Sequence, residues 1–420
     1  MPSTERSRST HGDDGRTWPI ARLRERFPAL RAGDTVYLDN AAGAQVPRGV
    51  IDAVTDAMTT MQVNKGGAYA ASVRVTEAKE RVRGRVARFL GAPSDGVVAF
   101  GPNATTLLTL LADAFGRAAR PGDEIVVTGL DHHANLDPWR ALAGRGVVLR
   151  TWLPRAPHMT LHPDDLAPLL GPRTRLLTMT GASNLLGTLP DVAAASALAH
   201  AAGALVLVDA VHLAAHARPD VGELGADALV FSPYKTFGPH LGVLYLGPRA
   251  RDAWPAPALS FVDARSSSAW EPGTQSHEAI HGFGAVFDHL DWLAQEIGLV
   301  ERDDGRRWGG VLAAGARHEA TLTEALLEGL DALGAERYGL PGARGRTSTV
   351  AFNMPGRRAH EVAEHAARHG VAVAAGHAYA YDLAMTHLGL AERGGAVRAS
   401  AVHYSDDADV AALLAALARL

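Results

Sequence analysis

The chain has 420 residues, which is long enough for two or three domains that pack together. Hydrophobic residues make up 47% of the sequence and charged residues 20%, as in ordinary soluble globular proteins. The net charge of -4 argues against a nucleic-acid-binding protein and against a basic protein of the membrane surface.

The sequence contains no cysteine, which excludes disulfides, thiolate metal sites, Fe–S clusters and a cysteine nucleophile. No metal site is predicted. Lysine is almost as scarce, since Lys65, Lys79 and Lys235 are the only ones. A mechanism that needs a lysine amine can therefore be traced to three positions.

The first 17 residues are polar and lack the apolar segment of a signal peptide, so they are predicted to be a disordered tail. Residues 18–35 are predicted to pack on the smaller of two domains. The most membrane-like segment, Val192–Val208, contains His200 and Gly203 and is interpreted as a buried helix followed by a buried strand. We expect a cytoplasmic protein.

Residues 36–290 are predicted to form a large domain of the α/β class. From about residue 95 to 247, short β-branched runs alternate with helical stretches, which is typical of a largely parallel sheet covered by helices. Ligands of such sheets bind beyond the carboxyl ends of the strands. The predicted strands are Val97–Phe100, Glu124–Thr128, Val148–Trp152, Leu176–Met179, Leu205–Val208, Ala228–Phe231 and Val243–Leu246. The predicted helices include Ala104–Arg117, Pro138–Ala143 and Asp191–Ala202.

Residues 291–420 are predicted to form a smaller α+β domain, because the pattern changes near residue 290. The stretch Asp291–Leu333 is predicted to be mostly helical, and further helices are predicted at Ala359–His369, near Tyr381–Leu388, and at Asp406–Leu420. The predicted strands are Thr347–Phe352, Val371–Val373 and Ala396–Ser400.

Three segments that could carry chemistry follow predicted strands. Gly101–Thr106 opens a helix with glycine and hydroxyl residues, which can bind a phosphate, although a simple N-cap at Asn103 or Thr105 explains the same residues. Asp209 ends a buried apolar strand and needs a cationic or hydrogen-bonding partner. A protonated pyridine nitrogen and a helix N-cap both meet that need.

The third segment places Lys235 between an apolar strand and a Gly-Pro turn. A buried amine there would have a lowered pKa and suit a Schiff base with a carbonyl, whereas an exposed turn lysine would be inert. Together the three segments provide a phosphate cradle, an acidic partner for a ring nitrogen and an imine-forming lysine. Pyridoxal 5′-phosphate requires these parts.

The chain resembles the class V aminotransferase family of fold-type I pyridoxal phosphate enzymes, in the cysteine desulfurase and selenocysteine lyase branch. The resemblance implies the fold-type I transferase fold, with a mostly parallel seven-stranded sheet flanked by helices and a smaller α+β C-terminal domain. The segments that carry it run in family order through nearly the whole chain. They are Tyr37–Ala42, Asn103–Thr106, Gly122–Val127, Asp131–Trp139, Ala182–Thr188, those of Asp209 and Lys235, Gly273–Gln275 and Val397–Ser400.

The resemblance also implies roles for single residues. Lys235 would bind the cofactor aldehyde, Asp209 would pair with the pyridinium nitrogen, and His132 would stack on the ring. The remaining implied cofactor contacts are the ring-oxygen neighbours Asn184, His212 and Tyr234 and the phosphate ligands Thr105, Thr106, Ser232 and Thr274. Thr274 would reach the phosphate in the neighbouring subunit, so a homodimer with shared active sites is expected.

The sequence departs from the desulfurases in one segment. The family carries Arg where this chain has Ala374, and the sulfur-accepting Cys where it has Tyr379. Tyrosine cannot form a persulfide, so persulfide-forming desulfuration is excluded on chemical grounds. Arg398 remains as a carboxylate ligand, with a structural ion pair as the alternative. The residues that could complete the substrate pocket are Asn64, His377 and Tyr379, and further Lys65, His240, Gln275, His277 and Tyr381.

The leading interpretation is a carbon–sulfur lyase that eliminates sulfur from an amino acid, such as a cysteine S-conjugate, without a protein thiol. It would proceed through a carbanion at the substrate Cα, with Lys235 as the base. An aminotransferase or epimerase of secondary metabolism is the first alternative, because the same carbanion serves all three reactions. A scaffold that retains the fold without turnover is the second alternative.

Overall fold

A computed structural model describes residues 18–31, 33 and 35–420. The tail predicted for residues 1–17 lies outside the described residues. The α-helices are α1 (Ile20–Glu25), α2 (Pro28–Arg31), α3 (Arg48–Thr60), α4 (Ala70–Leu90), α5 (Ala104–Ala118), α6 (Asp137–Arg140), α7 (Pro163–Leu166), α8 (Val192–Ala201), α9 (Val221–Leu224), α10 (Pro248–Ala253), α11 (His277–Glu296), α12 (Asp304–Ala332), α13 (Ala359–Arg368) and α14 (Asp407–Leu417).

The strands are β1 (Val36–Tyr37), β2 (Val97–Gly101), β3 (Glu124–Thr128), β4 (Val148–Trp152), β5 (Thr174–Thr180), β6 (Leu205–Asp209), β7 (Ala228–Phe231), β8 (Gly242–Leu246), β9 (Glu336–Tyr338), β10 (Thr349–Asn353), β11 (Val371–Ala372), β12 (Ala374–Gly376) and β13 (Ala396–Ser400). Short 3-10 turns occupy His133–Asn135, Ala141–Arg145, Ala167–Leu169, Leu213–Ala215, Pro233–Lys235 and Ser267–Trp270.

A seven-stranded sheet in the order β2-β8-β7-β6-β5-β3-β4 forms the centre of the molecule. Strand β8 is antiparallel to both of its neighbours, so the other strands all point in one direction. All seven strands predicted for this region are present, and the prediction of an α/β fold with a mostly parallel sheet is confirmed.

The strands of this sheet other than the edge strand β4 form with both of their faces buried. Along β6, Val206 and Val208 join one apolar cluster and Leu207 joins another, so alternate side chains enter cores on opposite faces of the sheet. β-Branched and aliphatic residues favour this two-sided burial. The carboxyl ends of the parallel strands are thereby aligned along one edge of the sheet.

Several elements differ from the sequence prediction. The stretch Asp291–Leu333 is mostly helical, as predicted, and consists of the end of α11 and the whole of α12. The two helices are separate because Gly298 has a left-handed φ of 69° and Asp303 caps a new helix. Helix α11 also runs across the domain boundary predicted at residue 290. A helix predicted near Tyr381–Leu388 is a π-helix over Asp382–His387.

The C-terminal part of the chain contains a second sheet in the order β12-β13-β10-β9, and β1 pairs with β11. The segment from residue 18 packs against it, since the indole N–H of Trp18 donates to the carbonyl of His403 at 2.9 Å. Arg24 is bound to Asp409 at 2.7 Å. The division into domains stays a prediction. Among the described helices, none is long and apolar enough to cross a membrane.

Two histidines meet in the core between the sheets. Nε2 of His289 lies 3.0 Å from Nε2 of His403, and both side chains are buried. Burial, reinforced by Arg26, lowers the pKa of His289 from 6.5 to about 3. The folded protein therefore holds this imidazole neutral at a pH where the unfolded chain would protonate it.

We predict that this pair makes the protein sensitive to acid. Because the folded pKa of His289 lies below the unfolded value, its contribution is present above about pH 6.5 and is lost as the pH falls toward 3. In His289→Gln the free energy of unfolding should fall less steeply with pH, by about 1.4 kcal/mol per pH unit between pH 5.5 and 4.5. Urea unfolding of the intact protein at several pH values measures the slope.

His360, whose side chain is 79% exposed, provides the control. His360→Gln should leave the slope as in the unsubstituted protein. Equal slopes for all three proteins would contradict the assignment of acid sensitivity to His289.

Candidate active site

The carboxyl ends of the parallel strands surround a cavity of ≈ 1110 Å³. Residues that follow β2, β3, β5, β6 and β7 line it, and so does a segment of the smaller sheet around β12. This is the position that open α/β sheets use for ligands. The cavity thus joins segments that are far apart in the sequence.

Lys235 is the only lysine that lines this cavity. It lies in the 3-10 turn after β7 and is only 8% exposed, because the turn holds its side chain against the sheet edge. Burial, followed by the charge of Arg398, lowers the pKa of its amine to about 8. By contrast, the buried Lys79 lies elsewhere and is bound to Glu271 at 2.6 Å.

Asp209 ends β6 and also faces the cavity. The backbone N–H of Val211 donates to its Oδ1 at 2.9 Å, and no described residue donates to Oδ2. Burial raises the pKa of this carboxyl to about 6, although Lys235 acts in the opposite direction. A cationic or N–H donor in the cavity would restore its charge and satisfy the free oxygen.

His132 follows β3 in the sequence and lines the cavity. A buried polar network fixes the segment around it. Asp131 accepts hydrogen bonds from Asn135 at 2.8 Å and from the hydroxyl of Thr128. Burial raises the pKa of Asp131 to about 8, and burial together with Lys235 lowers that of His132 to about 3. The His132 ring is therefore neutral and free to stack on a planar group.

The start of α5 supplies groups suited to a phosphate. Asn103 caps the helix by accepting from the N–H of Thr106 at 2.8 Å, and the N–H of Ala104 donates to Oγ of Ser232 at 3.0 Å. Thr105 and Ser232 line the cavity. Thr106 does not line it. The N-terminal end of a 15-residue helix favours an anion here.

Asn184 and Arg398 join the two sheets beside the cavity. Nδ2 of Asn184 donates to the carbonyl of Ala378 at 2.7 Å, and its Oδ1 is buried without a hydrogen-bond partner among the described residues. Arg398 donates to the carbonyl of Asn184 at 3.0 Å and pairs with Asp39 at 2.9 Å. Arg398 is therefore in an ion pair, and carboxylate binding by it stays a prediction.

The other predicted residues fall into two groups. His212, Tyr234, His377 and Tyr379 line the cavity, and His212 lies 3.1 Å from the hydroxyl of Thr347. Asn64, Thr274 and Thr106 do not line it. Asn64 and Thr274 are exposed, so any contact with a cofactor or substrate would need a second subunit.

Some residues of the site were not predicted from the sequence. Asp39 pairs with Arg398, and His133 lines the cavity next to His132. Both lie in segments that resemble the family, so those segments were the available indication. The network of Asp131 joins residues from two strands and could not be inferred from spacing.

The free groups of this cavity fit pyridoxal 5′-phosphate. Lys235 would hold its aldehyde carbon and Asp209 its ring nitrogen, while the α5 start with Thr105 and Ser232 would hold its phosphate. Oδ1 of Asn184, which lacks a partner among the described residues, would be satisfied by a donor on the bound molecule.

Comparison with known proteins agrees with this site. The family model for aminotransferase class-V matches residues 36–413. A cysteine desulfurase of Pectobacterium atrosepticum is 34% identical over 425 aligned positions, which cover 96% of this chain and 98% of that protein. A probable cysteine desulfurase of Pseudomonas putida is 34% identical, with 92% of this chain and 94% of that protein covered.

Solved structures give the same result. The apo structure of a cysteine desulfurase from Thermococcus onnurineus superposes with a TM-score of 0.85 at 28% identity, covering 96% of this chain and 98% of that one. A cysteine desulfurase from Escherichia coli superposes with a TM-score of 0.81 at 29% identity, with the same coverage.

We predict that Lys235 alone among the lysines attaches to the cofactor. After reduction of the holoenzyme with borohydride, peptide mass spectrometry should find the cofactor's mass on the peptide with Lys235. Lys235→Ala should carry no attached cofactor, because the other lysines lie outside the cavity.

The exposed Lys65 provides the matched control. Lys65→Ala should retain the modification in full. Attachment of the cofactor to Lys65 or Lys79 in the unsubstituted protein would contradict the assignment.

Proposed function

Since the chain belongs to the aminotransferase class-V family and is a pyridoxal phosphate-dependent enzyme, we propose that it is a carbon–sulfur lyase. Its substrate would be a cysteine S-conjugate or a related amino acid, and no persulfide would form on the protein. The observation that carries the proposal is Tyr379 at the cavity wall in a chain without cysteine.

The residues of the cavity can perform the proton transfers that elimination requires. Nζ of Lys235, with its pKa lowered to about 8, is neutral in part near pH 7 and can take the proton from the substrate Cα. Asp209 holds a proton on the ring nitrogen, and Arg398 is the cation available for the substrate carboxylate. When bound, the cofactor stabilises the negative charge at Cα.

The overall reaction balances without a protein thiol. The bond between Cβ and sulfur breaks, the sulfur keeps the electron pair and leaves as a thiol after protonation, and the remaining fragment is hydrolysed. One S-conjugate and one water therefore give one thiol, one pyruvate and one ammonia. A desulfurase that forms a persulfide needs a thiolate instead, and no residue of this chain can supply one.

We predict that the holoenzyme releases pyruvate and a free thiol in equal amounts from at least one cysteine S-conjugate. Lys235→Ala should abolish both products, because it removes the base and the attachment point of the cofactor. Lactate dehydrogenase coupling measures pyruvate, and a disulfide reagent measures the thiol. His360→Gln, at an exposed position outside the site, serves as the control and should keep full activity.

Other outcomes would contradict the lyase. If neither product appears across a panel of conjugates, elimination is wrong. Conversion of the cofactor to its pyridoxamine form would point to an aminotransferase, and solvent deuterium at Cα without pyruvate would point to an epimerase.

We also propose that the enzyme is a homodimer with shared active sites. Thr274 is exposed and lies outside the cavity of its own chain, so a second subunit would have to bring it to a phosphate. Large apolar side chains also lie at the surface, with Phe261 83% and Leu259 65% exposed. A cytoplasmic location stays a prediction.

We predict that Thr274 acts on the partner's site. Consider a mixed dimer of one Lys235→Ala chain and one Thr274→Ala chain. If Thr274 acts across the interface, one active site carries both substitutions and the other site is intact. If Thr274 acts within its own chain, each of the two sites carries one substitution. Tight cofactor binding to one site per mixed dimer, measured by absorbance after gel filtration, is the expected result.

Thr321, an exposed threonine on α12, provides the control. Mixed dimers of Lys235→Ala and Thr321→Ala chains should also keep one tight site. A monomeric protein, or a mixed Lys235→Ala and Thr274→Ala dimer without any tight site, would contradict the proposal.

A further inference from the structure

A cluster of aromatic rings includes four that line the cavity, of His132, His133, His377 and Tyr379, and one outside the lining, of Tyr381. Tyr379 stacks on His132 with ring centroids 5.3 Å apart, and His377 makes edge contacts with Tyr379 at 5.9 Å and Tyr381 at 5.3 Å. Tyr381 in turn contacts His133 at 6.0 Å. Yet Tyr379 is 68% exposed and Tyr381 is 50% exposed, so large parts of both rings have no partner within the described chain.

We propose that Tyr379 and His377, with Tyr381 packed against His377, form a subsite for the substrate side chain, and that this side chain carries an aromatic group. The inference rests on the proposed function for the amino-acid nature of the substrate and adds the class of its side chain. Aromatic rings favour offset-stacked or edge-to-face contacts with other rings, which this cluster offers.

The backbone that holds these rings in place has a conformation that is unfavourable in free energy. Ala378 and Tyr379 have left-handed φ values of 47° and 59°, which is unfavourable for residues other than glycine. The N–H of His133 donates to the carbonyl of Tyr379 at 2.8 Å, and the N–H of Tyr379 donates to Nδ1 of His377 at 3.0 Å. Asn184 binds the carbonyl of Ala378. The surrounding contacts thus fix an exposed tyrosine at the cavity wall, instead of letting it fold onto the core.

The space beside the rings suits a large group. The wall formed by Ala374, Ala375, Gly376 and Ala378 has only small side chains. A cavity of ≈ 1110 Å³ also exceeds the usual range for drug-sized ligands, which is roughly 300–1,000 Å³.

The charged side chains near the rings are paired with one another, and two carboxylates share one guanidinium. Arg140 pairs with Asp137 at 3.2 Å and also with Asp382, and His133 lies 3.2 Å from Asp137. The one arginine of this group is thereby bound to carboxylates and is not free to bind an acidic side chain. An apolar, planar group matches the rings.

Two amino acids without a leaving group test the inference separately from elimination. Homophenylalanine resembles S-phenylcysteine and norvaline resembles S-methylcysteine, with a methylene in place of sulfur. Calorimetric titration of the holoenzyme should show that homophenylalanine binds at least about tenfold more tightly than norvaline. Tyr379→Ala should weaken the binding of homophenylalanine about five- to tenfold and leave that of norvaline unchanged.

Tyr379→Phe is the matched control, because it keeps the ring and removes only the hydroxyl, and it should bind both ligands as the unsubstituted enzyme does. Equal affinity for the two ligands, or an equal loss for both in Tyr379→Ala, would overturn the inference. So would a loss of the dimer in Tyr379→Ala or Tyr381→Ala, which would assign the rings to a protein interface. If the enzyme binds homophenylalanine selectively but releases no pyruvate from S-phenylcysteine, the subsite proposal stands and the lyase proposal is contradicted.

Discussion

The site depends on a buried amine and a buried carboxyl group at the ends of adjacent strands. Lys235 follows β7 and Asp209 ends β6, and both are almost inaccessible. Each shifts toward its neutral form, with the pKa of the amine lowered to about 8 and that of the carboxyl raised to about 6. Near pH 7 both groups are still mostly charged, and the attraction between their opposite charges offsets part of the cost of burying them. A cofactor that bonds to one and donates a proton to the other satisfies both.

The smaller sheet completes this site through Arg398. This residue lies on β13, yet it donates to the carbonyl of Asn184 after β5 and pairs with Asp39 near β1. One guanidinium therefore links three segments that are distant in sequence. Its charge also contributes to the lowered pKa of Lys235, so the residue that links these segments also adjusts the base.

The parts of the site that follow strands could be predicted from the sequence, because the apolar strands are short and the residues after them share one edge of the sheet. Lys235, Asp209 and His132 are of this kind. Thr274 lies on the surface, outside the cavity of its chain, so the sequence could assign it only by resemblance. The ring cluster depends on the left-handed backbone of Ala378 and Tyr379 and on a π-helix, and neither follows from residue propensities.

This chain departs from the desulfurases at Ala374 and at Tyr379. The pairing of β12 with β13 explains how the two departures are related. Ala374 lies directly opposite Arg398, so an arginine there would place two cations side by side. With alanine, Asp39 alone balances Arg398, and a substrate carboxylate must compete with an existing ion pair. Less binding energy is then available from the carboxylate. The difference has to come from the rest of the substrate, and the exposed rings of Tyr379 and Tyr381, which follow Ala374 in the same segment, supply a surface for its side chain.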